Sequence, residues 1–164
     1  KIHNNLFPKK QAQKRNLEIE YWVTDLCQES IGELKYDLII DSHCFHCIVP
    51  EDDRRRFLQS IHRVLTKEGV FLTETMIGTL DNDDAQSDDN GIVWTPYGTD
   101  EPDYEPRVYR DGYWYVPQRL LRPSKEEIKQ EINQNGFKVI WDSVRATRST
   151  QDVPSYQGIA IKND

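Results

Sequence analysis

The sequence predicts an α/β fold, and two segments carry that prediction. Residues 36–76 read as a strand, a polar turn, an amphipathic helix, a glycine turn and a second strand. Residues 124–162 read as a helix, a Gly-Phe pair and two further strands. Strands alternating with helices are typical of a sheet covered by helices, and 164 residues suffice for one such domain.

The composition argues against several classes of protein. A net charge of −7 and a pI near 5.1 disfavour a nucleic-acid partner, because phosphate binding is driven by a basic surface. No run approaches the roughly 18 apolar residues of a membrane span, and the first residues do not resemble a signal peptide. Three cysteines do not suggest a disulfide framework. We therefore predict a cytoplasmic protein without nucleic-acid or membrane partners.

The N-terminal region predicts one helix and one strand. Residues 11–15 lie in a polar, helix-permissive segment begun after Pro8, which suits a first helical turn. Residues 17–24 alternate and are rich in β-formers, so we expect a strand near 18–24 that ends at Asp25-Leu26.

The segment 36–76 supplies two strands and a helix. The apolar run at 38–40 is typical of a buried parallel strand. It stops at Asp41-Ser42-His43, the position at which open α/β sheets bind ligands. A helix is expected from about Asp52 to Leu65, because apolar residues recur there at helical spacing. Gly69 should end the unit, with the second strand at 70–76.

A polar segment follows, which we call the insertion (residues 77–122). Its first part, residues 77–106, carries nine acidic residues and no lysine or arginine, so it cannot bury enough apolar surface to order itself alone. We expect residues 81–91 to form a mobile surface loop. Aromatic residues follow. The stretch 109–115, which contains Tyr109, Tyr113, Trp114 and Tyr115, reads as a lid hairpin, with most rings packed on the core and one or two lining a pocket.

The C-terminal region has clear helix signals. A capping box from Ser124 to Glu127 opens a helix, and Asn135-Gly136 stops it. Strands are expected at 137–142 and 157–162.

These patterns resemble the class I S-adenosylmethionine-dependent methyltransferases over residues 18–76 and 123–162. Phe45-His46 stands where the family has a Leu-His pair, and residues 65–69 stand where it has Leu-Lys-Pro-Gly-Gly, with the proline and one glycine absent. The ending resembles the family's terminal antiparallel β-hairpin. The resemblance implies a Rossmann-like class I methyltransferase sheet in one domain spanning residues 1–164.

Two parts of the family pattern have no counterpart here: the Gly-rich turn after the first strand, and the acid that ends the second. In the family these two strands lie between the third and the fourth, so a strand at 17–24 would lack its neighbours. We therefore expect a partial domain that lacks the first strands, from a longer protein. Residues 1–164 alone should bind cofactor weakly and are expected to be inactive.

The resemblance also implies cofactor-binding residues. Asp25 would accept a hydrogen bond from the adenine amino group, since a carboxylate offers acceptors only, and the backbone amide of Leu26 would face the ring. Asp41 and Ser42 would border the methionine moiety, where an acid near a sulfonium is favourable. The alternatives are that Asp25 is a plain turn residue and that Asp41 caps the turn.

One residue is a candidate for catalysis, and three others are candidates for binding the acceptor. His43 is a candidate general base, because histidine titrates near neutrality; alternatively it is an ordinary loop residue. His46, Tyr113 and Trp114 are candidate substrate-binding residues, because aromatic rings with nearby acids can hold an amine or cation. Packing alone is the alternative for all three.

A Cys-x-x-Cys pair, Cys44 and Cys47, raises the question of zinc. A structural zinc site needs four ligands, usually from two such pairs, and only one pair is present. The pair also falls in a strand-to-helix loop that the family pattern already explains. We therefore expect no metal.

The sequence thus predicts methyl transfer from S-adenosylmethionine to a small-molecule acceptor. The sulfonium is already activated, so proximity and orientation would supply most of the catalysis, and a base is helpful without being obligatory. A non-catalytic methyltransferase-like binding protein is one alternative, supported by the missing Gly-rich turn. An NAD(P)-dependent Rossmann oxidoreductase is a weaker one, because the terminal hairpin pattern and the lack of a Tyr-x-x-x-Lys pair disfavour it.

Overall fold

The computed structural model describes residues 6–28, 32–79, 81–82, 85–147 and 153–163. They form three α-helices and nine strands, with a short 3-10 turn at Phe45–Cys47. The helices are α1 (Leu6–Lys14), α2 (Glu51–Val64) and α3 (Lys125–Gln134). The strands are β1 (Tyr36–Ser42), β2 (Leu65–Met76), β3 (Asp81–Asn82), β4 (Ala85–Gln86), β5 (Ile92–Gly98), β6 (Val108–Arg110), β7 (Tyr113–Leu120), β8 (Phe137–Arg145) and β9 (Ser155–Lys162).

The main sheet has four strands in the order β1-β2-β9-β8. Strands β1 and β2 are parallel, whereas β9 runs antiparallel to both of its neighbours, β2 and β8. The predicted α/β fold and its terminal antiparallel hairpin are therefore confirmed.

Helices α2 and α3 pack on this sheet and enclose the core. The helices contribute Phe57, Leu58, Ile61, Ile128 and Ile132, and the strands contribute Phe71, Phe137, Tyr156 and Ala160. Helix α2 forms because its apolar residues recur on one side. Three acidic residues in its first turn also complement the helix dipole. Its bounds lie within one residue of those predicted at each end.

The strand predicted at 18–24 is wrong. Residues 17–25 have no regular structure, and Trp22 and Val23 are 59% and 82% exposed. A strand needs a neighbour to take its backbone hydrogen bonds, and among the described residues no strand lies beside this segment. The preceding helix also differs, since α1 begins at Leu6 and already contains Pro8 in its first turn.

Strand β2 starts earlier than predicted. Leu65 pairs with Tyr36 and Val70 with Leu38, so the residues between Leu65 and Val70 form an irregularity within β2. Gly69 is needed at this place, because a Cβ there would lie 2.7 Å from Leu65 Cγ. The predicted glycine turn is thus absorbed into the strand as a bulge.

The insertion has more regular structure than its composition favoured. Strands β3 and β4 form a two-stranded sheet, and a separate antiparallel sheet has the order β5-β7-β6. The Asp88 carboxylate fixes the turn before β5, because it accepts hydrogen bonds from the backbone of Asn90 and Ile92 and from Trp94 Nε1, each at 2.9 Å. Regular strands therefore stand where a mobile acidic loop was expected at 81–91.

No helix in the described part of the chain combines the length and apolarity that crossing a membrane requires.

Candidate functional site

Polar side chains meet at the carboxyl ends of β1 and β2. The two strands are parallel, and their register places Asp41 opposite Thr73 and Ser42 opposite Glu74. Asp41 and Ser42 were expected from the sequence as a ligand-binding group. The contribution of Thr73 and Glu74 was missed, because the sequence alone did not give the register between the strands. The available signal was the run of three polar residues, Thr73-Glu74-Thr75, directly after the apolar residues 70–72.

Asp41 holds the turn that follows β1. Its side chain is buried, Oδ2 accepts a hydrogen bond from Thr73 Oγ1 at 2.8 Å, and Oδ1 accepts one from the Cys44 backbone at 3.0 Å. Burial raises the pKa of the carboxyl above its ordinary value, and these hydrogen bonds offset only part of that rise. The Asp41 carboxylate thus caps the turn, and its contact with the cofactor stays a prediction.

His43 adopts a left-handed backbone conformation with φ of +62°. Few residues other than glycine do so, and such positions are often found at functional sites. Its N–H donates to the Glu74 carbonyl at 2.8 Å, and its Nε2 lies 3.9 Å from Glu74 Oε1. That side-chain distance permits a charge interaction but is too long for a hydrogen bond. Because the His43 side chain is 42% exposed, a ligand can reach the imidazole.

His46 is packed inside the site. It is 5% exposed, and its Nδ1 accepts a hydrogen bond from the Met76 N–H at 3.3 Å and lies 3.2 Å from Thr75 Oγ1. Burial, with smaller effects from the charges of His43 and Arg119, lowers the pKa of His46 to about 4. The enclosed ring agrees with the packing alternative, and the substrate-binding role of His46 stays a prediction.

The buried His46 predicts a pH dependence of stability. Its folded pKa of about 4 lies below the ordinary 6.5, so the unfolded chain binds more protons between these values. Stability should therefore fall as the pH drops from about 6.5 to about 4, with a contribution from His46 of up to about 3 kcal/mol. Urea denaturation at pH 7 and pH 4.5 measures this loss.

His46→Asn is the matched variant, because an asparagine oxygen can still accept the Met76 N–H. Its loss of stability over the same pH range should be smaller than that of the unaltered protein. Equal losses in the two proteins would show that His46 does not carry the effect.

An open hollow of about 680 Å³ lies beside β1 and α2. Leu26, Asp41, Ser42 and Cys44 line it, together with apolar side chains of β1 and α2. Its volume falls in the range of small-molecule sites. Asp25 is exposed next to Leu26, and its Oδ1 accepts a hydrogen bond from the Cys27 N–H at 2.8 Å. The structure therefore brings three of the four predicted cofactor-binding residues to one hollow, with the fourth adjacent in sequence.

The aromatic residues of the insertion lie elsewhere. Tyr113 is half exposed, and Trp114 packs against Tyr109 with ring centroids 5.1 Å apart and lies near the Arg107 guanidinium. Neither Tyr113 nor Trp114 lines the hollow. The expectation that most rings pack on the core is also wrong. In the stretch 109–115, Tyr109 and Tyr113 are exposed, and Trp114 packs against Tyr109 within a separate sheet.

Cys27, Cys44 and Cys47 are free thiols. Burial is the largest of the causes that raise the pKa of Cys27 to about 11. Within the described ranges, no group of three or more histidine, cysteine, aspartate or glutamate residues is arranged to hold a metal ion.

Comparison with known proteins finds similarity to methyltransferases. A family model described as a methyltransferase domain matches residues 4–73. A solved S-adenosylmethionine-dependent methyltransferase from Clostridium acetobutylicum ATCC 824 is 14% identical, with a TM-score of 0.62 over 95% of this chain and 70% of that one. No curated protein matches the chain.

Two further solved methyltransferases contain bound S-adenosylhomocysteine or S-adenosylmethionine. One is a Burkholderia thailandensis 1,6-didemethyltoxoflavin-N1-methyltransferase with bound 1,6-didemethyltoxoflavin and S-adenosylhomocysteine, 16% identical with a TM-score of 0.62 over 95% of this chain and 56% of that one. The other is the glycopeptide N-methyltransferase MtfA complexed with S-adenosylmethionine, 17% identical with a TM-score of 0.56 over 86% of this chain and 59% of that one. The chain thus spans less than two thirds of the length of these two relatives.

The parallel β1–β2 pair beside an antiparallel β9–β8 pair defines the class of protein as one with a Rossmann-like methyltransferase fold. The chain thus shares its fold with S-adenosylmethionine-dependent methyltransferases, and residues 4–73 match the model of a methyltransferase domain.

Proposed function

We propose that the protein transfers a methyl group from S-adenosylmethionine to a small-molecule acceptor. The observation that carries the proposal is the hollow along β1, which Asp41 and Ser42 line at the carboxyl end of that strand. His43 is the next residue in the sequence. Open α/β sheets bind their ligands at this position. The similarity in fold to a methyltransferase that binds 1,6-didemethyltoxoflavin and to a glycopeptide N-methyltransferase supports a small-molecule acceptor.

The cofactor would be held mainly by residues beside the hollow. Apolar side chains such as Leu26 would contact the adenine ring, and the exposed Asp25 carboxylate would accept from its amino group. Ser42 and Asp41 would border the sulfonium end. When bound, S-adenosylmethionine supplies an electrophilic methyl group next to these side chains.

The His43–Glu74 pair would serve the acceptor. His43 Nε2 would take the proton that an acceptor hydroxyl or amine loses as that atom attacks the methyl carbon. Glu74 Oε1, 3.9 Å away, would stabilise the resulting imidazolium by its negative charge. The His43 N–H bond to the Glu74 carbonyl would hold the loop in place while this occurs. In this proposal His43 is the catalytic base and Glu74 is a positioning residue.

The insertion would cover the acceptor. Strand β7 packs against the 3-10 turn at Phe45–Cys47, and Arg119 Nη1 lies 3.6 Å from the Met76 sulfur at the end of β2. This part of the insertion therefore lies over the edge of the sheet at which β2 ends. Tyr113 and Trp114, on the same strand, would contact an acceptor that extends beyond this edge.

Calorimetric titration with S-adenosylhomocysteine tests the proposal. The full-length protein should bind it, and Asp25→Ala should weaken binding by roughly 1–3 kcal/mol, since the adenine amino group would lose its acceptor. Asp89→Ala removes the same charge from an exposed position of the insertion and should leave affinity unchanged.

Failure of the full-length protein to bind S-adenosylhomocysteine would refute the cofactor assignment. Equal losses in the two variants would instead mean that the insertion folds over the adenosine.

A further inference from the structure

Arg119 stands apart from the other arginines that are at least partly buried in the described ranges. Arg54, Arg107 and Arg122 each form an ion pair with a glutamate. Arg119 is partly buried and forms no ion pair with any described residue; its side-chain contact is with the Met76 sulfur. A thioether is a weak acceptor for a group that carries five N–H donors. Most of the hydrogen-bonding capacity of this guanidinium is therefore unused.

The position of Arg119 connects it to the proposed site. Met76, which it contacts, donates its N–H to His46, and the His46 ring packs edge-on against His43 with centroids 5.6 Å apart. The charge of Arg119 also contributes to the lowered pKa of His46. Arg119 thus lies at the same edge of the sheet as the proposed base, on the side that the insertion covers.

The Glu74 and Asp41 carboxylates of the site interact with groups other than Arg119. Glu74 lies within 3.9 Å of His43, and Asp41 is buried with both oxygens hydrogen-bonded. Neither carboxylate is within ion-pair distance of Arg119. A partly buried guanidinium that has no anionic partner among the described residues is available to bind an anion supplied by a ligand.

We propose that Arg119 binds an anionic group of the acceptor, a carboxylate or a phosphate. Its planar guanidinium can hold such a group through two parallel hydrogen bonds. The inference rests on the proposed function and narrows its acceptor to small molecules that carry an anion near the methylated atom. Arg119 is then a substrate-binding residue, and it orients the acceptor toward His43.

Titration of the full-length protein with benzoate, phenyl phosphate and the neutral isostere benzamide tests this. The unaltered protein should bind at least one of the two anions more tightly than benzamide, by roughly tenfold, as expected for a charge-assisted pair. Arg119→Gln should abolish that preference. Arg119→Lys should keep part of it, because the charge remains while the two-point geometry is lost.

Arg110→Gln is the matched control, because Arg110 lies on β6 of the same insertion sheet and is exposed. It removes the same charge and should leave the preference intact. Thermal melts establish whether each variant is folded. If Arg119→Gln is unfolded, the anion preference of Arg119→Lys is compared with that of the unaltered protein instead.

The proposal is overturned if the unaltered protein shows no preference for either anion, if Arg119→Gln retains it, or if Arg110→Gln loses it equally. Parallel titration with S-adenosylhomocysteine separates this from the proposed function. Loss of that affinity in Arg119→Gln, with the anion preference kept, would assign the arginine to the cofactor carboxylate and overturn the acceptor role. An anion preference without S-adenosylhomocysteine binding would instead refute the methyltransferase proposal while the anion site stands.

Discussion

Replacing Glu131 with alanine should lower the free energy of unfolding by about 3–5 kcal/mol. Glu131 accepts a hydrogen bond from Arg54 Nε at 2.6 Å and from Arg122 Nη2 at 2.9 Å. The Arg54 side chain is only 5% exposed, and it also donates to the carbonyls of Ile48 and Val49. Removing the carboxylate leaves this buried charge without an anion, and that is the physical reason for the large effect. Chemical denaturation at pH 7 measures it.

The control is Glu101→Ala, which removes a carboxylate that pairs with Arg107 and is 55% exposed. Exposed pairs contribute at most about 1 kcal/mol, so this variant should lose little. Replacing Arg54 and Glu131 together with methionine and leucine should recover much of the stability lost in Glu131→Ala, because the most deeply buried charge is removed together with its partner. Similar losses in Glu131→Ala and Glu101→Ala would contradict a special role for the buried pair.

Replacing His43 with asparagine should lower kcat by about 10²–10⁴-fold, the usual contribution of a general base. Asparagine tolerates the left-handed backbone found at this position, so the loop should keep its shape. Affinity for S-adenosylhomocysteine should be unchanged, since the proposed role of His43 concerns the acceptor. Formation of S-adenosylhomocysteine in single-turnover assays, with an acceptor found by screening, is the measurement.

Two further variants sharpen this prediction. Glu74→Gln keeps the side-chain shape without its charge, and it should lower kcat by a smaller factor than His43→Asn. His62→Asn alters a histidine that packs against Phe137, and it should leave kcat unchanged. An unchanged kcat in His43→Asn would remove the base from the mechanism and leave orientation alone as the source of catalysis.

The sequence predicted the elements whose signals are local. The bounds of α2 followed from helical spacing, the start of α3 followed from the Ser124 cap, and β8 and β9 were expected at 137–142 and 157–162. The strand at 18–24 failed because β-propensity describes single residues, whereas a strand requires a partner. The hairpin expected at 109–115 is present as β6 and β7, whereas β5, which pairs with β7 from within the acidic part of the insertion, was missed.

The candidate site was predictable only on the side of β1. The turn at Asp41-Ser42-His43 is continuous in sequence, so its polar character was visible. Glu74 joins His43 through the register of two strands, and Arg119 reaches Met76 across 43 positions of the chain. Such long-range contacts depend on the tertiary structure, and composition or periodicity does not encode them.

The position of β9 has a consequence for the order of folding. It comes last of the four strands along the chain, yet it lies between β2 and β8, with Val70 paired to Ile161. A ribosome therefore releases β1, β2 and β8 before the strand that joins β8 to the others exists. Pairing β9 with β2 closes the long loop that contains β3 to β8. This closure costs conformational entropy before any contact compensates for it, and the cost slows folding. During synthesis the facing edges of β2 and β8 are unpaired, and in that interval the nascent chain is most exposed to aggregation.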